Sequence, residues 1–177
     1  MDSLETVAAI AATEGLRFLL VGGSAMLLHG SDRITADLDI AIRETDAPTW
    51  KARLTAAGFS EFHQTDAFIR FRPPSPKQFP VDLVIADAGT FEKLWHRARP
   101  ATLAASRVQV PHPEHLMAMK IHALRYGGEH RQSKDFADIL TLMRICQIGP
   151  DDPVFRETLK RYGTPEIEER IRRATRG

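Results

Sequence analysis

The sequence predicts an α+β protein: a mixed β-sheet flanked by helices, followed by a helical annex. Three observations predict it. Strand-like apolar runs are interspersed with capped helical segments up to residue 111. Two of those runs are interrupted by acids, once at Asp37 and Asp39 and once at Asp82. Beyond residue 111 the periodicity is helical throughout, which divides the chain into a core at 1–111 and an annex at 112–177.

The first helix is expected from Asp2 or Ser3 to about Glu14, with Leu4, Val7, Ala8 and Ala11 on one face and Gly15 as its stop. A buried strand follows at Phe18 to Val21. The turn Gly22-Gly23-Ser24 comes next: its glycines permit positive φ and close approach of a ligand, and Ser24 reads as the N-cap of a short helix from Ala25 to His29. After a polar turn comes a second strand, which carries Asp37 and Asp39. Asp46 and Pro48 start a helix over Thr49 to Ala57, and Gly58 ends it. Two short strands are predicted at Phe59 to His63 and Ala67 to Arg72, the latter with Arg70 and Arg72 on a basic face. The Pro73 to Pro76 loop leads to the apolar strand Phe79 to Asp87, interrupted by Asp82. Thr90 is expected to cap a helix to Arg97, and a last short strand to lie at Arg107 to Val110.

In the annex, helices are expected from His112-Pro113 to Tyr126, from Lys134 to Ile145 with Ser133 as cap, from Pro153 to Tyr162, and from Pro165 to Arg176 with Thr164 as cap. Gly127-Gly128 separates the first two.

Composition bounds the functional classes. The 177 residues are 43% hydrophobic and 27% charged, with a formal net charge of +1. These are the proportions of a soluble globular chain, with no global attraction to nucleic acid. Cys146 is the only cysteine, so a disulfide within the chain is ruled out, and its apolar helical setting predicts a buried thiol. The acidic N-terminus is unlike a signal peptide, and a membrane-spanning run of about 18 apolar residues is missing, so a cytoplasmic location is expected. The histidines form no zinc spacing, and Ser24 is not in a nucleophile elbow.

The chemistry concentrates between Leu19 and Ile42. Side chains two apart on a strand project to one face about 6.6 Å apart, so Asp37 and Asp39 are two like charges flanked by Leu38, Ile40 and Ile42. A divalent cation is the simplest compensation, and hard oxygen donors with no nearby thiol select Mg²⁺ or Mn²⁺. Ahead of them, Gly22, Gly23 and Ser24 form a turn of the kind that receives phosphates. Arg33, between the two halves, reads either as a phosphate clamp or as an exposed turn residue.

The pattern Val21-Gly22-Gly23-Ser24-Ala25, His29-Gly30, Arg33, Thr35 and Asp37-Leu38-Asp39 resembles the signature of the DNA polymerase beta-like nucleotidyltransferases. It is most similar to the bacterial branch that contains the abortive-infection AbiEii-type toxins and their minimal relatives. The resemblance implies a nucleotidyltransferase fold, with Asp37 and Asp39 binding metal, Gly23 and Ser24 holding a triphosphate, and a third acid on a neighbouring strand. Asp82 meets that need, with Asp87 as the fallback. It also implies that the strand near Arg107 closes the sheet, and that Lys120 faces the nucleotide, while Lys134, Asp135 and Asp138 match a second recurring signature. The alternatives for these are a snorkelling Lys120 and an i,i+4 pair of Lys134 with Asp138.

The expected activity is therefore Mg²⁺-dependent transfer of a nucleoside monophosphate from a nucleoside triphosphate to a hydroxyl. By resemblance the acceptor is the 3′ end of a transfer RNA, a protein side chain or a small molecule, and a cognate antitoxin is an implied partner. From Pro153 to Gly177 seven Arg or Lys face four Glu, a local excess that favours RNA or another acidic partner. Two other classes fit less of the sequence. A nonenzymatic nucleotide- or partner-binding module of this fold would be favoured if Asp82 pointed away from Asp37 and Asp39. A DxD-type glycosyltransferase leaves the Gly22 to Ser24 turn unexplained.

Overall fold

The computed structural model describes residues 2–32 and 34–176, with the backbone alone for residues 129–131. The chain forms two compact units, Met1–Pro111 and His112–Gly177.

The first unit opens with helix α1 (Ser3–Glu14). Asp2 and Glu5 form a reciprocal capping box at its start, and Gly15 adopts the left-handed conformation at its end (φ 65°). The strand expected at Phe18 to Val21 is reduced to β1 (Leu19–Leu20) and pairs antiparallel with β2 (Leu38–Arg43). Between them lies α2 (Gly22–Leu28), whose N-cap is Val21. Ser24 is therefore not a cap. It is the third residue of the helix, buried at 5% exposure, because the helix starts at Gly22, with φ 60°, three residues before the expected Ala25. Gly23 has helical backbone, so only Gly22 uses the positive φ.

A single 3-10 turn (Glu44–Asp46) leads into α3 (Ala47–Ala56). The hairpin β3 (Ser60–Gln64) and β4 (Phe68–Arg72) is followed by β5 (Val81–Ala86). Together these strands make a five-stranded sheet in the order β1-β2-β5-β4-β3. β2 and β5 are parallel and central, which accounts for their near-continuous apolar character. Leu38, Ile40, Ile42, Val81 and Leu83 are buried, as are Trp50 and Leu54 of α3. The Phe18 and Trp50 rings meet edge to face, 6.0 Å between centroids.

Helix α4 (Ala88–His96) is capped by Asp87, which accepts from the Thr90 amide at 2.9 Å. The cap is thus three residues earlier than Thr90. The side chain and amide of Thr90 hold the Asp87 carboxyl below the usual carboxylate range, which assigns Asp87 to helix capping. On α4, Arg17 is salt-bridged to Glu92, with its guanidinium over the Phe91 and Trp95 rings at 5.5 and 5.0 Å.

The strand expected at Arg107 to Val110 is β7 (Ser106–Val110), and it pairs in a hairpin with β6 (Arg99–Leu103), which the sequence did not suggest. The hairpin forms its own two-stranded sheet and does not close the larger one. Its role is to brace α2. Arg99 donates to the Leu28 carbonyl at 2.6 Å, and His29 Nε2 donates to the Pro111 carbonyl at 2.9 Å.

The second unit comprises α5 (Pro113–Tyr126), α6 (Glu129–Cys146), α7 (Pro153–Tyr162) and α8 (Pro165–Thr175). His112, Asp152 and Thr164 cap α5, α7 and α8 with their side chains. Helix α6 begins five residues earlier than the sequence suggests, so Ser133 lies within the helix and is not its cap. Cys146 is a free thiol of intermediate exposure, not a fully buried one. Among the described residues no helix is long and apolar enough to cross a membrane.

Candidate active site

The site is built by the register of the sheet. Parallel pairing sets Asp39 of β2 opposite Asp82 of β5, and antiparallel pairing sets Arg70 of β4 opposite Asp82. Three side chains thus lie in a row across adjacent strands. Asp37 precedes β2 by one residue and lies two before Asp39. Its position is fixed locally, because the Thr35 hydroxyl donates to its Oδ1 at 2.8 Å.

Asp37, Asp39 and Asp82 each offer one carboxylate oxygen to a common point, all within 4.8 Å of one another. Asp39 and Asp82 are buried, at 8% and 6% exposure, and Asp37 is half-buried. Two unit charges at that separation repel by about 3 kcal/mol even at an effective dielectric of ~20. Such an arrangement persists only with compensating positive charge. A hard divalent cation fits the donor set, which is all oxygen, convergent and partly open.

Part of the compensation is supplied by the protein. Arg70 donates from Nε and Nη2 to a single oxygen, Oδ2 of Asp82, each at 2.8 Å. The sequence puts Arg70 on a basic strand face but does not connect it to Asp82. The alternation Phe68 to Arg72 was the available signal, but the partner depends on strand register.

The turn before α2 shapes the other side. The Val21 amide donates to the Asp39 carbonyl at 3.0 Å, so the start of α2 lies against β2. A Cβ built at Gly22 would come 2.5 Å from Asp39 Cγ and 2.8 Å from Asp39 Cβ, closer than real Cβ contacts allow. Gly22 is therefore required both by its positive φ and by the seat of Asp39. Gly23 and Ser24 follow as buried residues of the first turn of α2.

Of the other residues singled out in the sequence, Arg33 lies outside the described residues. Lys120, Lys134 and Asp135 belong to the helical unit. Lys120 does not snorkel to solvent. It is 9% exposed, with its ammonium 2.6 Å from Asp135 Oδ1 and 2.8 Å from Asp138 Oδ2. Asp138 thus joins α6 to α5 through Lys120, a connection that a pairing with Lys134 within α6 would not make. Asp135 is 2% exposed, and its Oδ2 has no hydrogen-bond partner among the described residues. Lys134 is exposed.

A mixed sheet that brings a glycine turn and three carboxylates together defines a nucleotidyltransferase-type fold and site. Residues 6–177 match the family described as nucleotidyl transferase AbiEii toxin, type IV toxin–antitoxin system, and the chain belongs to that family. It is a nucleotidyltransferase. The family sets aside the glycosyltransferase reading. Asp82 also converges with Asp37 and Asp39, whereas an Asp82 turned away from them would have favoured the nonenzymatic module.

Solved structures share the fold. Antibiotic-resistance factor ANT(2″)-Ia, in a complex with adenylyl-2″-tobramycin, is 14% identical with a TM-score of 0.64, over 90% of this chain and 96% of that one. The lincosamide antibiotic adenylyltransferase LnuA, bound to lincomycin, is 14% identical with a TM-score of 0.56, over 80% and 95%. An antigenic nucleotidyltransferase-like protein from Paracoccidioides brasiliensis is 18% identical with a TM-score of 0.56, over 89% and 84%. No curated protein matches the sequence at a significant level.

Proposed function

We propose that the protein transfers a nucleoside monophosphate from a nucleoside triphosphate to a hydroxyl of an RNA acceptor, with Asp37, Asp39 and Asp82 holding Mg²⁺ or Mn²⁺. The observation that carries this reading is the convergence of those three carboxylates beside the Gly22 turn. The bound cation supplies charge neutralisation at the phosphates and lowers the pKa of the attacking hydroxyl.

The residues of the chain do the positioning. The Gly22 to Ser24 turn receives the β and γ phosphates, with Arg33 as a further phosphate contact. Thr35 holds the Asp37 carboxylate in place, and Arg70 does the same for Asp82. Asp82 takes the proton from the acceptor hydroxyl, whose oxygen attacks the α-phosphorus in line as the bond to the β-phosphate breaks and pyrophosphate leaves. The local excess of Arg and Lys from Pro153 to Gly177 favours RNA over a neutral acceptor. The family description favours a toxin role opposite a cognate antitoxin. Lys120, Lys134 and Asp135 are assigned to nucleotide contact by resemblance alone, whereas the buried triad favours a structural role for Lys120 and Asp135.

The test is incorporation of α-labelled nucleotides into lysate RNA and protein with Mg²⁺, comparing the native chain with Asp39→Asn. Label in nuclease-sensitive material from the native chain alone is the expected result. The variant should lose at least about a hundredfold, the scale on which single electrostatic contributors are removed. Equal labelling by a folded Asp39→Asn protein would sink the mechanism.

A further inference from the structure

Both tyrosines of the chain flank one histidine in the helical unit. His122 of α5 lies 4.6 Å, centroid to centroid, from Tyr126 one turn later, and 6.5 Å from Tyr162 at the end of α7. Each tyrosine carries a guanidinium over its face, Arg125 at 5.0 Å over Tyr126 and Arg161 at 5.4 Å over Tyr162. Arg125 also donates to the Gly163 carbonyl at 3.4 Å, which ties the end of α5 to the cap of α7.

His122, Arg125, Tyr126 and Arg161 are exposed, Tyr126 to 65%. Among the described residues, neither Arg125 nor Arg161 is salt-bridged to a carboxylate, whereas Arg172 and Arg173 of α8 are. The cluster therefore leaves two positive charges without a carboxylate partner, each over an aromatic ring, of which Tyr126 is exposed and Tyr162 half-buried. A folded chain gains little from exposing a tyrosine ring this far, and the rings stay in register because α5 and α7 hold them there.

We propose that this surface binds single-stranded RNA, with a base stacked on Tyr126 and backbone phosphates met by Arg125 and Arg161. This rests on the nucleotidyl-transfer reading in naming the acceptor class, and gives that acceptor a docking place. Aromatic and guanidinium planes both accept an unstacked base, and the guanidinium groups over the two rings lie within reach of the adjoining phosphates. An acidic peptide would use the two arginines but has no need of an exposed ring beside them, so RNA accounts for more of the cluster.

The test uses the whole chain without metal or nucleotide, so that it does not depend on transfer. Binding of a short fluorescein-labelled oligoribonucleotide of mixed sequence is followed by anisotropy. Tyr126→Ala should weaken binding about tenfold, and Tyr126→Phe, which keeps the ring, should bind as the native chain does. Arg125→Ala should weaken binding and reduce the salt dependence by about 0.7 in the log–log slope, one phosphate contact on a single strand. Because Tyr126 is exposed, the melting temperature of Tyr126→Ala should match the native value, so a lost fold would not explain lost binding. No binding by the native chain, unchanged binding by Tyr126→Ala, or equal competition by polyglutamate would each overturn the proposal. Loss of label transfer with these binding results intact would sink the catalytic reading and leave the surface standing.

Discussion

Gly22 and Asp39 occupy one space: the volume that a Cβ on Gly22 would need is filled by the Asp39 carboxylate. The glycine is thus part of the carboxylate site as well as of the turn. The backbone at Gly22 has φ 60°, where any L side chain is strained.

Gly22→Ala should consequently fail twice. The left-handed backbone costs about 1–2 kcal/mol, and the new methyl displaces Asp39 from its partners. The expected outcome is a lower melting temperature together with weakened Mn²⁺ binding followed by electron paramagnetic resonance. Stability loss with native Mn²⁺ affinity would show that Asp39 does not depend on Gly22.

A divalent cation held by Asp82 would compensate the carboxylate that Arg70 already contacts, so their effects should overlap. Arg70→Ala should destabilise the metal-free chain by about 1–2 kcal/mol, a value reduced because Arg70 is one-third exposed and solvent screens it. Saturating Mg²⁺ should narrow the gap in melting temperature between variant and native protein. A gap of constant size would place Asp82 outside the cation site.

Lys120 lies between two buried carboxylates, Asp135 and Asp138. Lys120→Met would leave both without it, and removing one partner of a buried ion cluster costs about 3–5 kcal/mol. Urea unfolding should register that loss. The triple change Lys120→Met, Asp135→Asn and Asp138→Asn should recover part of it, since no buried charge of the triad is then left over. A fully stable Lys120→Met variant that had lost only nucleotide binding would instead favour the nucleotide-facing role.

Cys146 should be a sluggish thiol. Burial, with a smaller contribution from Glu114, pushes its pKa above the ordinary cysteine value. Raising the pKa lowers the thiolate fraction at any pH below it, and thiolate is the species that reacts. Alkylation by iodoacetamide at pH 8 should be slower in the native protein than in urea, with the difference shrinking as pH rises. A native rate equal to the denatured rate would contradict the protected setting.

The elements fixed by local chemistry were legible in the sequence. The capping box of Asp2 and Glu5 marks α1, Thr164 marks the start of α8, and the period-two pattern of Phe68 to Arg72 marks β4. Boundaries were missed where a longer-range partner decides them. Ser24 has the chemistry of a cap, but the helix begins at Gly22 because β1 pairs with β2 and brings the Val21 amide to the Asp39 carbonyl. Residues Arg99 to Leu103 contain a proline and weak alternation, and become a strand only through pairing with β7.

By itself the sequence determined which groups are available: a glycine turn, the Asp37 and Asp39 pair, and an acid interrupting a later apolar strand. Spacing of two along one strand is enough to bring a pair of acids together. The tertiary structure decided what those groups meet. That Asp82 faces Asp39, that Arg70 grips Asp82, and that Lys120 joins Asp135 and Asp138 all depend on strand register and helix packing. Those contacts link residues distant in the chain, and no local periodicity encodes them.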